Sequence, residues 1–304
     1  MKRLDPSRLK ESFINVSTFP ADLGEGRSAA PAGALLDAVV EAVEKKNGFA
    51  VVFGVNKLLA ERGLDLHTES GAALARDYLE GIFRAIAPRF DLARYSPTPI
   101  SYDRVAKMDV DGFNKNRNFT PNSDHTESRE FVTTKCVHFD SATPFIANLY
   151  GPNQNISGGM PMICDTRRFC QDKGLDPRSL IENIPNNYNV AVKAEFSEEI
   201  LRDYSFALKL DLENDIVMIV LHNEVVGGLA HAATQPSLTD TSKAAKRPIR
   251  HVEYQVAGTD DLRRWYDYYG LSLEKATNHK DDANITRFVS GELNPYPNII
   301  EVRA

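Results

Sequence analysis

The second half of the chain is a succession of short runs rich in β-branched and aromatic residues, and this constrains the fold more than any other feature. The runs are EFVTTKCVHFD, TPFIANLYG, MPMICD, YNVAVKAEF, YSFALKLDL, DIVMIVLHNEVVGG and RPIRHVEYQV, all between Glu130 and Val256. Turn residues separate most of them: Pro152-Asn153, Gly158-Gly159 and Pro185-Asn186-Asn187. Many short strands at short spacing build a sandwich or barrel rather than a parallel sheet with crossover helices. Helical patterns come first. PAGALLDAVVEAVEKKNG (Pro31–Gly48) reads as an amphipathic helix with an Asn-Gly stop, FAVVFGV (Phe49–Val55) as a buried strand, and ESGAALARDYLEGIFRAIAPRF (Glu69–Phe90) as a second helix.

Among the later strands one helix is expected, around DTRRFCQDKG and DPRSLIENI, and another after the last strand at Thr259–Gly270. SLTDTSKAAK reads as disordered, and Pro248 is expected to delay the start of the strand around it. The expected fold is mainly β with supporting α-helices, an antiparallel sandwich or jelly roll. A single domain spans 1–304: helical support over about 1–95, a β core over about 131–257, and a C-terminal helix and tail over about 258–304.

The 304 residues carry a formal net charge of −6. An acidic balance disfavours a nucleic-acid partner. No run has the length and apolar purity of a membrane span, and MKRLDPSRLKESF lacks the apolar stretch of a secretory signal. The three cysteines, Cys136, Cys164 and Cys170, form neither a CxxC pair nor a disulfide framework. A cytoplasmic location is the expectation, with a small-molecule substrate as partner and the oligomeric state open.

Chemistry concentrates in KCVHFDSATPFIANLYG, Lys135–Gly151. If VHFD is extended, His138 and Asp140 share one face and Phe139 takes the other. An imidazole and a carboxylate side by side make a chelating pair. A second histidine from a distant strand would complete a two-histidine, one-carboxylate face that suits ferrous iron and leaves coordination positions open. The plainer alternative is a buried histidine hydrogen-bonded to a nearby aspartate. Downstream, LAHAA carries His231, VLHNE carries His222, and RPIRHVEYQV opens with Arg247 and Arg250. An arginine fork grips a carboxylate through two parallel hydrogen bonds.

In this order, HFD, LAHAA and RPIR resemble the motif of the iron(II)- and 2-oxoglutarate-dependent oxygenases, over roughly Phe131 to Val256. The resemblance implies a double-stranded β-helix, a distorted jelly roll of cupin-like form. It implies Fe(II) held by His138, Asp140 and His231, with 2-oxoglutarate and O2 as co-substrates. It implies an arginine, Arg247 or Arg250, on the far carboxylate of the keto-acid. His231 is preferred to His222 because the distal ligand follows the turn after the long apolar strand. Arg247 is the shorter step from His231 and is preferred on that ground.

Asn148 and Tyr150 share a strand face, where they hydrogen-bond the keto-acid or form an ordinary cross-strand polar pair. The polar loop with Arg117, Asn118, Ser123, Asp124 and His125 is either a substrate lid or a solvated loop. His67 and His279 receive no role, and Cys136 reads as a small buried residue. The HFDSATPF context is similar to the free-standing halogenase–hydroxylase branch. There a small residue replaces the carboxylate when halide binds iron, so Asp140 points to hydroxylation.

The implied activity is hydroxylation of an unactivated C–H bond of a polar small molecule, an amino acid or natural-product intermediate, with release of succinate and CO2. The same centre serves desaturation, epoxidation or cyclisation. Two other readings are a cupin-type metalloenzyme without 2-oxoglutarate and a non-enzymatic β-sandwich binding module.

Overall fold

The computed structural model describes residues 6–19, 31–90, 99–108, 120–121, 136–140, 142–152, 155–184, 188–234, 236–240, 245–254, 256, 258–277 and 298–303. The loop residues Arg117, Asn118, Ser123, Asp124 and His125, together with His279, lie outside them.

After a short helical turn over Pro6–Leu9 come β1 (Phe13–Asn15), α1 (Gly33–Val40, continued by a π-helical stretch over Glu41–Lys46), β2 (Phe49–Phe53), α2 (Val55–Ala60) and α3 (Glu69–Ile86). Then come β3 (Ile100–Met108), β4 (Thr120–Pro121), β5 (His138–Phe139), β6 (Phe145–Tyr150), β7 (Ile156–Gly158) and β8 (Pro161–Cys164). α4 (Thr166–Lys173) leads to β9 (Ile181–Asn183), β10 (Val190–Val192) and α5 (Ala194–Asp203). β11 (Ser205–Leu210), β12 (Val217–His222), β13 (Ala230–Ala233), β14 (Pro236–Leu238) and β15 (Ala245–Glu253) complete the β-rich region. α6 (Thr259–Tyr268), α7 (Leu273–Thr277) and β16 (Ile299–Val302) close it.

Among the described residues fourteen strands form two seven-stranded mixed sheets, and β14 pairs with β7 in a separate two-stranded one. Of the two large sheets, one has the order β1-β2-β12-β6-β15-β3-β4, the other β16-β11-β8-β13-β5-β10-β9. Four pairings nest within one another: β3 with β15, β5 with β13, β6 with β12, and β8 with β11. All four are antiparallel, and successive pairs fall in alternate sheets.

Period-two alternation decides what each sheet face touches. In the first sheet Phe49, Val51, Phe53, Ile146, Val217, Ile219 and Leu221 pack with Ile163, Phe206 and Leu208 of the second, forming the core between the sheets. The alternate residues Ala50, Val52, Ala147, Leu149, Met218 and Val220 face helices α1 and α3. Thr68 caps α3 by accepting the Gly71 N–H at 3.1 Å, and the helix buries Leu79, Ile82, Phe83 and Ile86. Each large apolar side chain so buried contributes about 1.5–3 kcal/mol. The outer face of the second sheet packs on Phe169 of α4, Ile200 of α5 and Trp265 of α6. Two helical layers therefore enclose the sandwich and leave its inner faces to the site.

Several expectations need correction. The sheets are not purely antiparallel: β1 joins β2 and β16 joins β11 in parallel. The strand read as running through Phe196 stops at Val192, and α5 follows, with Phe196 and Ile200 one turn apart on the face that packs on the sheet. DPRSLIENI is a 3-10 turn, Pro177–Leu180, followed by a strand rather than a helix. SLTDTSKAAK contributes to β14 and to the start of β15. β15 also runs straight through Pro248, opposite Val105 of β3. Pairing with β6 begins only at Ile249, so the missing proline N–H falls where one flank of the strand has no partner among the described residues.

Candidate metal centre

Three side chains converge on the inner face of the second sheet. His138 of β5 and His231 of β13 are direct cross-strand partners. Their rings lie 4.1 Å apart, centroid to centroid. Asp140 follows β5 immediately and shares the face of His138. Its Oδ2 lies 3.4 Å from His231 Nε2, and its Oδ1 lies 3.8 Å from His138 Nε2. One donor atom from each residue falls within 4.8 Å of the others. Ligands about 2.1 Å from a common metal are separated by about 3–3.5 Å. The observed separations match that geometry closely enough for a small rotation of each side chain to close it. Two imidazole nitrogens and one carboxylate oxygen form a donor set suited to a divalent first-row metal such as Fe(II). The residues present therefore fit an iron ion.

Local chain geometry fixes each donor. His138 Nδ1 sits 2.9 Å from the Cys136 carbonyl. A carbonyl only accepts, so Nδ1 carries a hydrogen, which leaves Nε2 as the nitrogen whose lone pair faces the centre when the ring is neutral. Asp140 is held at both main chain and side chain. Its N–H donates to Asn223 Oδ1 at 3.1 Å, and its carbonyl accepts from Asn223 Nδ2 at 2.6 Å. The same Nδ2 reaches the Thr143 carbonyl at 2.8 Å. This clamp closes a tight turn in which Ala142 takes a left-handed φ of 52°, a conformation that costs a non-glycine residue about 1–2 kcal/mol. At the side chain, Asn189 Nδ2 donates to Asp140 Oδ1 at 2.6 Å. His231 arrives by a turn in which the Leu229 N–H donates to the His222 carbonyl and the Gly228 N–H to the Glu224 carbonyl. A Cβ on Gly228 would stand 2.3 Å from that Glu224 oxygen, which explains the glycine.

The other expected residues are dispersed. His222 ends β12 with its ring stacked 4.9 Å from Phe145, and its Nε2 lies 3.5 Å from Glu224. Phe145 belongs to the helix-facing core, away from the metal candidates. Arg250 also faces the helices: its Nη1 donates to Glu80 Oε2 at 3.3 Å and to Asp77 Oδ1 at 3.2 Å on α3. Arg247 has the strand parity of Ile249 and His251, opposite Ala106 of β3. Asn148 and Tyr150 share the inner face of β6, with Tyr150 in the core between the sheets. Asn148 Oδ1 lies 2.7 Å from Nδ1 of His251, its cross-strand partner. His251 Nε2 in turn lies 3.3 Å from Glu253 Oε2.

Cys136, Cys164 and Cys170 are free thiols. Burial pushes the Cys136 and Cys164 thiols far up, Cys136 to about 12, and that of Cys170 to about 11. None is a ready thiolate ligand.

Sequence reasoning missed Asn189 and Asn223. Both stand in asparagine-containing stretches, NNYNV and HNEV, that signal turns as readily as sites. Only the fold shows that they converge on one aspartate.

Among the described residues no helix is long and apolar enough to cross a membrane. No family model matches the chain, and no curated protein matches it. A solved structure of a bsmA homolog from Methylobium petroleophilum PM1 is similar to this chain at 9% identity, covering 73% of this chain and 94% of that one, with a TM-score of 0.30.

Proposed function

We propose that the chain is a non-haem Fe(II)- and 2-oxoglutarate-dependent oxygenase that hydroxylates an unactivated C–H bond of a polar small molecule, an amino acid or natural-product intermediate. The observation that carries the reading is the convergence of His138, Asp140 and His231 from two adjacent strands and the turn beside them. The nested antiparallel pairing supports a double-stranded β-helix, and the donor set supports iron over a thiolate-preferring metal. On this reading residues 1–304 act as one oxygenase domain.

When bound, the iron supplies oxidation of the substrate by O2, coupled to conversion of 2-oxoglutarate to succinate and CO2. The chain's own residues have other tasks. His138 and His231 hold the metal through Nε2, and Asp140 supplies the anionic ligand that disfavours halide at that position. Arg247, opposite Ala106 in the β15–β3 register, is the arginine assigned to the far carboxylate of the keto-acid. Asn148, tied to His251 and through it to Glu253, offers a polar edge on the opposite sheet. The apolar residues between the sheets exclude bulk water from the centre.

The test is anaerobic addition of Fe(II) and then 2-oxoglutarate to the purified protein. The expected result is a weak visible charge-transfer band that needs both, with succinate formed once air is admitted. Metal binding with neither band nor succinate would replace this reading with a metalloenzyme that uses no keto-acid.

A further inference from the structure

Helix α6 reaches the metal candidates through two residues of the segment before β10. Val190 of β10 pairs with Phe139 of β5, which brings the preceding Asn189 beside Asp140. Asn189 Nδ2 donates to Asp140 Oδ1 at 2.6 Å. One residue earlier, the Tyr188 carbonyl accepts the hydroxyl of Tyr266. Tyr266 lies on α6 and is fully buried, while the Tyr188 side chain is exposed. The backbone that presents Asn189 is thus tied down by a tyrosine some 80 residues later in the chain. This connection is absent from any motif of the ligands themselves.

We infer that Asn189 is a positioning residue for the metal centre, and that Tyr266 of α6 holds it in place. The inference rests on the metal-binding reading of His138, Asp140 and His231. Oδ1 of Asp140 accepts the Asn189 amide and lies 3.8 Å from His138 Nε2, while Oδ2 lies 3.4 Å from His231 Nε2. An amide hydrogen bond on one oxygen favours binding of metal through the other alone. A carboxylate held to one oxygen leaves one more coordination position open than a chelating carboxylate does. Asn189 therefore controls how many positions are left for co-substrate and oxygen. Partners of this kind change metal affinity by about 10–100-fold when removed.

The experiment is anaerobic titration of the full chain with Co(II), followed by the visible ligand-field spectrum and by competition with a chelator. Wild type, Asn189→Ala and Tyr266→Phe are compared, with circular dichroism confirming that each is folded. Asn189→Ala is expected to weaken Co(II) binding about 10–100-fold and to change the band positions, because the carboxylate is free to chelate. Tyr266→Phe keeps the ring and its packing and loses only the hydroxyl. It is expected to shift affinity and spectrum in the same direction by a smaller factor, and it carries the test alone if Asn189→Ala does not fold. Wild type that binds Co(II) while both variants share its affinity and spectrum would overturn the inference and leave the metal reading standing. Wild type that binds no Co(II) would overturn the metal reading and the inference together.

Discussion

His138 and His231 face each other across adjacent antiparallel strands, one residue directly opposite the other, with ring centroids 4.1 Å apart. Such a pair cannot be separated without moving a strand, so two of the three donors are set by backbone pairing rather than by side-chain flexibility. Binding of a divalent metal to the folded chain should therefore raise its stability, by about 2.7 kcal/mol at a hundredfold excess over Kd. Anaerobic thermal unfolding with Mn(II) or Co(II) measures this. His231→Ala and Asp140→Ala should each remove the shift. Ligation requires neutral imidazole, so protons compete with the metal and apparent affinity should fall as the pH is lowered. A metal-induced shift that survives in both variants would place the metal elsewhere.

Asn223 closes the turn that carries Asp140. It is buried and makes hydrogen bonds to the Asp140 N–H, the Asp140 carbonyl and the Thr143 carbonyl. Asn223→Ala leaves all three without that partner. The expected loss is about 3 kcal/mol by urea unfolding, since each buried polar group left unsatisfied costs about 1–3 kcal/mol. Metal affinity should fall with it, because Ala142 no longer has the clamp that holds its left-handed conformation. Unchanged stability would show that the turn is fixed by other contacts.

The three side chains that the structure brings together were legible in the sequence for a physical reason. Alternation along an extended VHFD puts His138 and Asp140 on one face without any knowledge of the fold. LAHAA then supplies a histidine on the next strand after a turn. The supporting residues were not legible. Asn189 and Asn223 look like turn residues, and only non-local pairing brings them to Asp140. α5 was hidden because Phe196 continues an apolar run from β10, while its helical signal, Phe196 with Ile200, begins only after the strand has ended. β1 and β16 are three- and four-residue edge strands, too short to show a period. The parity of β15 separates the two candidate arginines, and the sequence already contained that parity. What it lacked was which face met the helices.

The cysteines supply a chemical test of burial. Cys170 is raised to about 11 chiefly by desolvation, and Cys164 is pushed up further by the same cause. At pH 8 the thiolate fraction of Cys170 is then about a thousandth, against about a fifth for a free cysteine. Alkylation by iodoacetamide followed by mass spectrometry should show Cys164 and Cys170 reacting at least a hundredfold more slowly in the folded protein than in urea. Labelling of either at the rate of a free thiol would contradict the packing around α4 and β8.

Gly228 makes the turn that delivers His231. A Cβ there would stand 2.3 Å from the Glu224 carbonyl oxygen and 2.8 Å from that of His222. Both are backbone atoms and neither can yield without opening the turn. Gly228→Ala should therefore destabilise the protein by more than about 2 kcal/mol, within the range for changes that strain the backbone. It should weaken metal binding as β13 shifts relative to β5. Gly63, by contrast, has nothing within 4 Å of its would-be Cβ, though its φ is +67°. Gly63→Ala should cost only the local conformational strain and leave metal affinity unchanged. Equal effects of the two substitutions on metal affinity would refute the assignment of Gly228 to the site.

Arg247 and Arg250 should separate stability from co-substrate binding. Arg250 is directed to α3, where Glu80 and Asp77 receive it and where Glu80 also holds Arg84 and Ser101. Glu80 is largely buried, so Arg250→Ala removes one of the cations facing a carboxylate that has little access to water. The remaining Arg84 limits the loss to about 1–3 kcal/mol, less than that for a carboxylate stripped of all partners. Affinity for 2-oxoglutarate should not change. Arg247 has the opposite strand parity and, on the proposed function, meets the far carboxylate of the keto-acid. Losing a bidentate charge-assisted contact costs about 1.5–3 kcal/mol, or about 10–150-fold in Kd. Titration of the Fe(II) protein with 2-oxoglutarate, read by the charge-transfer band, should show that weakening for Arg247→Ala, with unfolding almost unaltered. The reverse pattern, Arg250→Ala abolishing keto-acid binding while Arg247→Ala leaves it intact, would mean that the helix-facing side of β15 reaches the co-substrate and that the assignment of Arg247 is wrong.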